Sequence, residues 1–190
     1  MKELLLIGTM AFALVSGGAT AVASTDNIER PERGNHISVA TLQKLATKKQ
    51  DAIDAIKMEK LRNNGILVEK AINKLSSHVG KTWYVFSGNT PSGWDCSGLT
   101  MWFYEQLDIE LEHRATIQAT GGKKVSTPKP GDIVAFHYEN SRKAYHVGIY
   151  IGNGKMIHSP APGKRTSIED IEKFGGSYSD ISYVRYIETI

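Results

Sequence analysis

Cysteine is almost missing from this 190-residue chain, which contains one, Cys96. A single cysteine excludes a disulfide within the chain, so the fold has to be held by burial and hydrogen bonding. Cys96 is then either a free reactive thiol or half of an intermolecular bridge. A dense Lys/Arg block is also missing. The 23 Lys and Arg against 20 Asp and Glu give a formal charge of +3 and a pI of about 8.9. That mild excess gives little support for nucleic-acid binding, though it would assist approach to an anionic polymer. Beyond the first residues there is no run apolar enough to span a bilayer, and there is no internal repeat. What remains is ordinary globular composition, 41% apolar and 23% charged, in a length that suits one domain with an extension or two very small domains.

The first residues carry the one long apolar run. Lys2 gives a positive start, Leu4 to Val15 is apolar, and Ser16-Gly17-Gly18 breaks the run. Ala21 and Ala23 fit the small-x-small rule, which predicts a signal peptide over residues 1–23 cut after Ala23. The rival reading is an uncleaved membrane anchor, which the shortness of the run opposes. No cysteine follows the cut, so no lipid anchor is indicated. Residues 24–36 are polar, contain Pro31 and Gly34, and read as a linker.

Residues 38–63 read as an amphipathic helix, with Ser38 as N-cap and Asn64-Gly65 as the stop. Leu42, Leu45, Ala46, Ala52, Ile53, Ile56 and Lys60 lie on or near one stripe. That stripe would pack on its own domain, serve as a spacer, or pair with a protein partner as a coiled-coil arm. Residues 66–78 read as a second helix with Ile66, Leu67, Ala71, Ile72 and Leu75 inward. This gives three parts: a signal peptide (1–23), a linker with amphipathic helix (24–65) and a domain (66–190). Within the domain, residues 83–86 read as a strand-like piece, 89–93 as a turn-rich loop and 97–107 as a helix. Residues 132–136, 146–151, 155–159 and 182–187 read as strands. Helices first and strands later predict an α+β domain with an antiparallel sheet.

Cys96 sits in Gly93-Trp94-Asp95-Cys96-Ser97-Gly98-Leu99, with a turn before it and a helix after it. The positive end of a helix favours thiolate over thiol, and the thiolate is the nucleophile. An inert buried cysteine is the bland alternative. A nucleophilic cysteine needs a base, usually histidine. Of six histidines, His36 lies in the linker, and His78 and His113 read as surface residues near helix ends. His146 and His158 each lie in a strand.

If Gly152-Asn153-Gly154 is a three-residue hairpin loop, Tyr150 faces Met156 and Gly148 faces His158. His146 and His158 then share one face as diagonal neighbours, about 7–8 Å apart between backbones, with Gly148 leaving room for the rings. A two-residue loop would put them on opposite faces. Val147, Ile149 and Ile151 turn to the core. A cysteine, a histidine and a second group to orient it follow the nucleophile–base–orienter pattern of acyl transfer. A metal set of Cys96, His137, His146 and His158 lacks any short ligand spacing.

These residues resemble the NlpC/P60 family of papain-like cysteine peptidases. The likeness runs from about Ile66 to Ile187 and rests on Asp95-Cys96-Ser97-Gly98-Leu99, Pro130-Gly131-Asp132-Ile133-Val134, His146 through Gly154, and Met156-Ile157-His158. The resemblance implies Cys96 as nucleophile, His146 as base and His158 as its orienter. It implies Tyr84 near the oxyanion, and Asp95 and Ser97 lining the cleft or meeting the substrate's free amine. It further implies a papain-like fold and a secreted, wall-associated endopeptidase that uses no metal or organic cofactor. Its substrate would be the D-γ-glutamyl–diamino acid bond of peptidoglycan stem peptides. Three departures bear on cleft shape: Ser87 in the family's Tyr-x-x-Gly-Gly, Glu112-His113-Arg114 for Leu-Pro-Arg, and the bulky Met101-Trp102-Phe103. Two rival functions are a Cys-His amidase or acyltransferase on the same fold, and a catalytically dead wall-binding scaffold.

Overall fold

The computed structural model describes residues 37–190. The expected signal peptide (1–23) and linker (24–36) lie outside the described residues. The chain opens with helix α1 (Val39–Ser76). One helix therefore stands where the sequence predicted two. Asn64-Gly65 lies inside it, although glycine in a helix costs about 1 kcal/mol relative to alanine. The boundary expected between residues 65 and 66 falls mid-helix. The buried face of the second half also differs from the predicted one. Val68, Ala71 and Leu75 are buried, at i, i+3 and i+7, while Ile66 and Leu67 stay exposed. From Gln43 to Lys60 every residue is exposed, the Leu45, Ile53 and Ile56 stripe included.

After α1 come the short strands β1 (Asn89–Thr90) and β2 (Gly93–Trp94), which form a two-stranded ladder around Pro91-Ser92. Residues 83–86 contribute only isolated bridges, Trp83 to Arg165 and Tyr84 to Trp94. Helix α2 (Cys96–Glu105) follows, then α3 (Ala115–Gln118) and β3 (Lys123–Val125). The remaining strands are β4 (Ile133–Tyr138), β5 (Ala144–Gly152), β6 (Lys155–His158), β7 (Ser167–Asp170) and β8 (Ser179–Arg185), with the short helix α4 (Ile171–Gly175) after β7. Six strands form one sheet in the order β3-β8-β4-β5-β6-β7, antiparallel throughout.

β4 explains why this sheet is covered on both faces. Its run Ile133-Val134-Ala135-Phe136 has no polar alternation, and successive side chains point to opposite faces. Ile133 and Ala135 join Leu75, Trp94, Leu99, Phe103, Val147, Ile149 and Ile157 in the main core. Val134 and Phe136 join Met156 and Ile171 in a second cluster, against which Phe174 packs. Fully burying a side chain such as Leu75, Leu99 or Ile149 contributes about 1.5–3 kcal/mol. His78, expected at the surface, packs edge-on against Trp94 and Trp102 at 5.2 Å. The α+β class with an antiparallel sheet is as the sequence predicted.

Candidate active site

α2 begins at Cys96 because Asp95 caps it. Asp95 has extended backbone (φ −88°, ψ −175°), and its Oδ1 accepts the Gly98 N–H at 2.7 Å. The same oxygen accepts Ser97 Oγ–H at 2.9 Å and lies 3.0 Å from His113 Nε2. Oδ2 accepts the Ser87 N–H at 3.0 Å. Burial acts to raise the Asp95 pKa, but Gly98, His113 and Ser97 together outweigh it and hold the carboxyl below its ordinary value. Gly98 is required here: a Cβ would collide with the carbonyl oxygen of Gly88, which itself accepts the Asp95 N–H at 3.0 Å.

The Cys96 sulfur faces β5, where the Val147 N–H points at it. Burial pushes the thiol up to about 11, and the Asp95 charge adds to the rise. The N–H groups of Val147, Ser97 and Cys96 itself act in the opposite direction without cancelling it. This burial opposes the thiolate that the helix end favours. Of the influences on the thiol, desolvation is the largest, and it favours the protonated form.

His146 lies on β5, one residue before Val147, and is buried. Its Nε2 is 2.8 Å from His158 Nδ1 on β6, with the rings edge-on at 5.0 Å. Phe174 packs against both rings, at 4.7 Å from His146 and 4.6 Å from His158. Burial in this aromatic surround pushes His146 down to about 3, and His158 adds to the fall. Burial also lowers His158, opposed by Glu169. His146 is thus a neutral imidazole at neutral pH. With Nε2 engaged by His158, Nδ1 is the nitrogen left for a proton from outside the pair.

The hairpin brings the two histidines together by a route slightly different from the predicted one. Gly152 pairs with Lys155, so the turn holds two residues, Asn153 and Gly154, both at positive φ. The register then shifts between Tyr150 and Gly152, leaving Ile151 as an extra residue. This bulge restores the pairs Tyr150–Met156 and Ile149–Ile157 and returns both histidines to one face. At Gly148 a Cβ would meet the Met156 sulfur at 2.9 Å and the His158 Cβ at 3.1 Å.

The other expected residues surround this group. Tyr84 lies near enough that its phenol is raised by burial first, then by Cys96 and Asp95. Ser97 directs its hydroxyl at Asp95, and its carbonyl accepts from Thr100 Oγ1 at 2.8 Å and from Gln118 Nε2 at 3.0 Å. His137 is not part of the site, since its Nε2 pairs with Ser182 Oγ at 2.8 Å. Among the described residues no cluster of His, Cys, Asp and Glu has the form of a metal site. Three neighbours escaped the sequence reading. His113 looked like a surface residue but is tied to Asp95. Phe174 sits on a helix of five residues that had no readable pattern, and Glu169 lies on β7, which also went unread.

The sequence signature of the NlpC/P60 family matches residues 80–185, more than half of the chain. Three curated relatives bear names for wall-directed or peptidase activity. A mycobacterial protein, "Probable endopeptidase Rv2190c" of Mycobacterium tuberculosis, is 38% identical over 102 residues, which is 53% of this chain and 26% of the relative. The murein DD-endopeptidase MepH of Escherichia coli is 36% identical over 109 residues, 54% of this chain and 40% of the relative. The gamma-D-glutamyl-L-lysine dipeptidyl-peptidase of Bacillus subtilis is 39% identical over 88 residues, 45% of this chain and 30% of the relative. The chain thus spans well under two thirds of the length of these relatives. In three dimensions it is similar to the NlpC/p60 domain of the peptidoglycan hydrolase SagA, with a TM-score of 0.54 and 30% identity over 63% of this chain and 98% of that one. With the cap, the buried histidine pair and the sheet order in place, the chain belongs to the NlpC/P60 family.

Proposed function

We propose that this protein is a secreted cysteine endopeptidase that hydrolyses peptidoglycan stem peptides. The observation that carries the reading is the placement of Cys96 against the Val147 N–H of β5, the residue after His146, whose Nε2 is 2.8 Å from a second buried histidine. In the proposed mechanism Cys96 is the nucleophile, His146 the base and His158 the group that orients it.

The electrostatics favour deprotonation during attack rather than before it. Neutral His146 accepts the thiol proton at Nδ1 as the sulfur adds to the peptide carbonyl. Backbone N–H groups at the start of α2, with the Tyr84 hydroxyl, stabilise the oxyanion. His146 then hands its proton to the leaving amine, giving an acyl-enzyme, and later takes a proton from the water that hydrolyses it. Asp95 already accepts four hydrogen bonds from the chain. Its role is mainly to hold the nucleophile's turn, leaving the outer side of Oδ2 for a substrate amine, with Ser97 as its support.

The bond we favour is the D-γ-glutamyl–diamino acid bond, supported by the name of the Bacillus relative. A second reading, the D,D bond of cross-links, is supported by the name of the Escherichia relative. We also propose residues 1–23 as a cleaved signal peptide, and the exposed stripe of α1 as the place where a protein partner would bind.

The test is mass spectrometry of purified peptidoglycan digested with residues 24–190, beside the Cys96→Ala variant. New fragments cut after D-glutamate, absent with the variant, establish the reaction and its nucleophile. Fragments cut only at cross-links select the second reading. Full wall-cleaving activity in Cys96→Ala would overturn the assignment. No fragments from either well-folded protein would favour an amidase or a wall-binding scaffold.

A further inference from the structure

His158 has a loose end. Its Nδ1 faces His146 at 2.8 Å, while its Nε2 is fully buried with no hydrogen-bond partner in line. A buried ring nitrogen without a partner carries an uncompensated desolvation cost. One group stands within reach. Glu169 on β7 places Oε1 at 3.3 Å from that nitrogen, off the line of a good hydrogen bond. The same oxygen accepts Ser167 Oγ–H at 2.9 Å, which tethers the carboxylate on this side of the strand. β7 is positioned for the purpose: Ser167 pairs with His158 and Glu169 with Met156. The Glu169 side chain is 41% exposed, so a small rotation costs it little packing.

We infer that Glu169 is a positioning residue that fixes the tautomer of His158, and through it that of His146. This rests on the reading of His146 as the base for Cys96. Two neutral imidazoles sharing one hydrogen bond can place its proton on either ring. If His158 carries its proton on Nδ1, it donates to His146 Nε2. That forces the His146 proton onto Nδ1 and removes the lone pair needed to accept the thiol proton. If His158 carries its proton on Nε2, its Nδ1 accepts from His146 Nε2–H, and His146 Nδ1 is free to act as base. A carboxylate has no proton to offer and only accepts, so Glu169 beside Nε2 selects the second arrangement. Rotation of its half-exposed side chain aligns the bond and satisfies the orphaned nitrogen. Proton positions run one way along the chain: His146 Nε2–H to His158 Nδ1, then His158 Nε2–H to Glu169.

The sequence offered no route to this residue, because it lies eleven positions beyond His158 on a strand whose pattern is weak. It also distinguishes two tasks within the pair, since His158 orients His146 and Glu169 orients His158.

The test compares the parent with Glu169→Gln and Glu169→Ala, using nitrogen-15 NMR of the histidine rings at neutral pH. The parent is expected to show His158 protonated at Nε2 and His146 at Nε2. Alanine removes the acceptor, and the amide of glutamine can turn its N–H₂ toward the ring. Both variants are therefore expected to populate the opposite tautomers, with kcat on a defined stem peptide falling about tenfold and KM unchanged. This is well short of the roughly 10⁴-fold loss seen when a fully buried orienting carboxylate is made neutral, as solvent reaches Glu169. Glutamine is isosteric, so loss of fold is not an expected complication. Parent-like tautomers in both variants would overturn the inference, as would a change confined to KM. The ring spectra need no wall substrate, so they remain decisive if Cys96→Ala shows the catalytic reading itself to be wrong.

Discussion

At the residue scale, the site depends on positions where no side chain fits. Gly148 lies between His146 and Tyr150 on β5, and a methyl group there would press on the His158 Cβ and the Met156 sulfur. Gly148→Ala is therefore expected to destabilise the protein by about 1–3 kcal/mol, the usual cost of overpacking. It should also reduce turnover by displacing His158. Thermal unfolding and a peptidoglycan digest check the two effects separately, and an unchanged melting temperature would show that the hairpin yields without strain. The start of a helix at Cys96 and the pairing of His146 with His158 were legible in the sequence because each follows from one local pattern: a loop-to-helix junction, or a two-residue period folded back at a turn. The hydrogen-bond set around Asp95 was not, since it needs Ser87 and His113 to arrive from loops with no period of their own. The upward push on the Cys96 thiol was not legible for a related reason. A helix terminus can be read from sequence, whereas the burial that opposes it depends on everything packed around the sulfur.

At the element scale, periodicity located the main strands and α2 to within a few residues, because their apolar runs are long enough to register. It failed where length replaces pattern. Helix α1 runs through Asn63-Asn64-Gly65, a sequence that usually ends a helix. The chain continues because Val68, Ala71 and Leu75 bury on the far side of it. β3, β7 and α4 span three to five residues each and carry no alternation strong enough to read. The exposed part of α1 leads to a direct expectation. Replacing Leu45, Ile53 and Ile56 together by glutamine removes no buried contact among the described residues. Stability should change by less than about 0.5 kcal/mol per site, as for surface positions generally. Chemical denaturation measures this, and a marked loss would mean that the stripe is covered in the folded protein. Loss of wall association or of a binding partner with stability intact would support the stripe as an interaction surface.

At the scale of the whole molecule, two buried histidines link stability to acid. Both are held neutral in the folded state, His146 with its pKa pushed down to about 3 and His158 lowered in the same direction. In the unfolded chain they would titrate near the ordinary imidazole value of about 6.5. Above that pH neither state binds the proton and the pair contributes no pH dependence. Below it the unfolded chain takes up protons that the native state refuses, so stability falls as pH drops from about 6.5 toward 3. The melting temperature should therefore decline across this window, and decline less steeply in a His146→Gln variant. Equal slopes would show that other groups set the acid response. Among the described residues no helix is long and apolar enough to cross a membrane, and the sheet is closed over on both faces. The same burial that silences the histidines also governs the fate of the sulfur between encounters with substrate. A thiolate attacks peroxides and disulfides, and a thiol held protonated is a poor nucleophile toward them. The chain has no second cysteine with which a sulfenic acid could condense and be rescued. Partial burial of the Cys96 thiol, by keeping it protonated, therefore also favours resistance to oxidation.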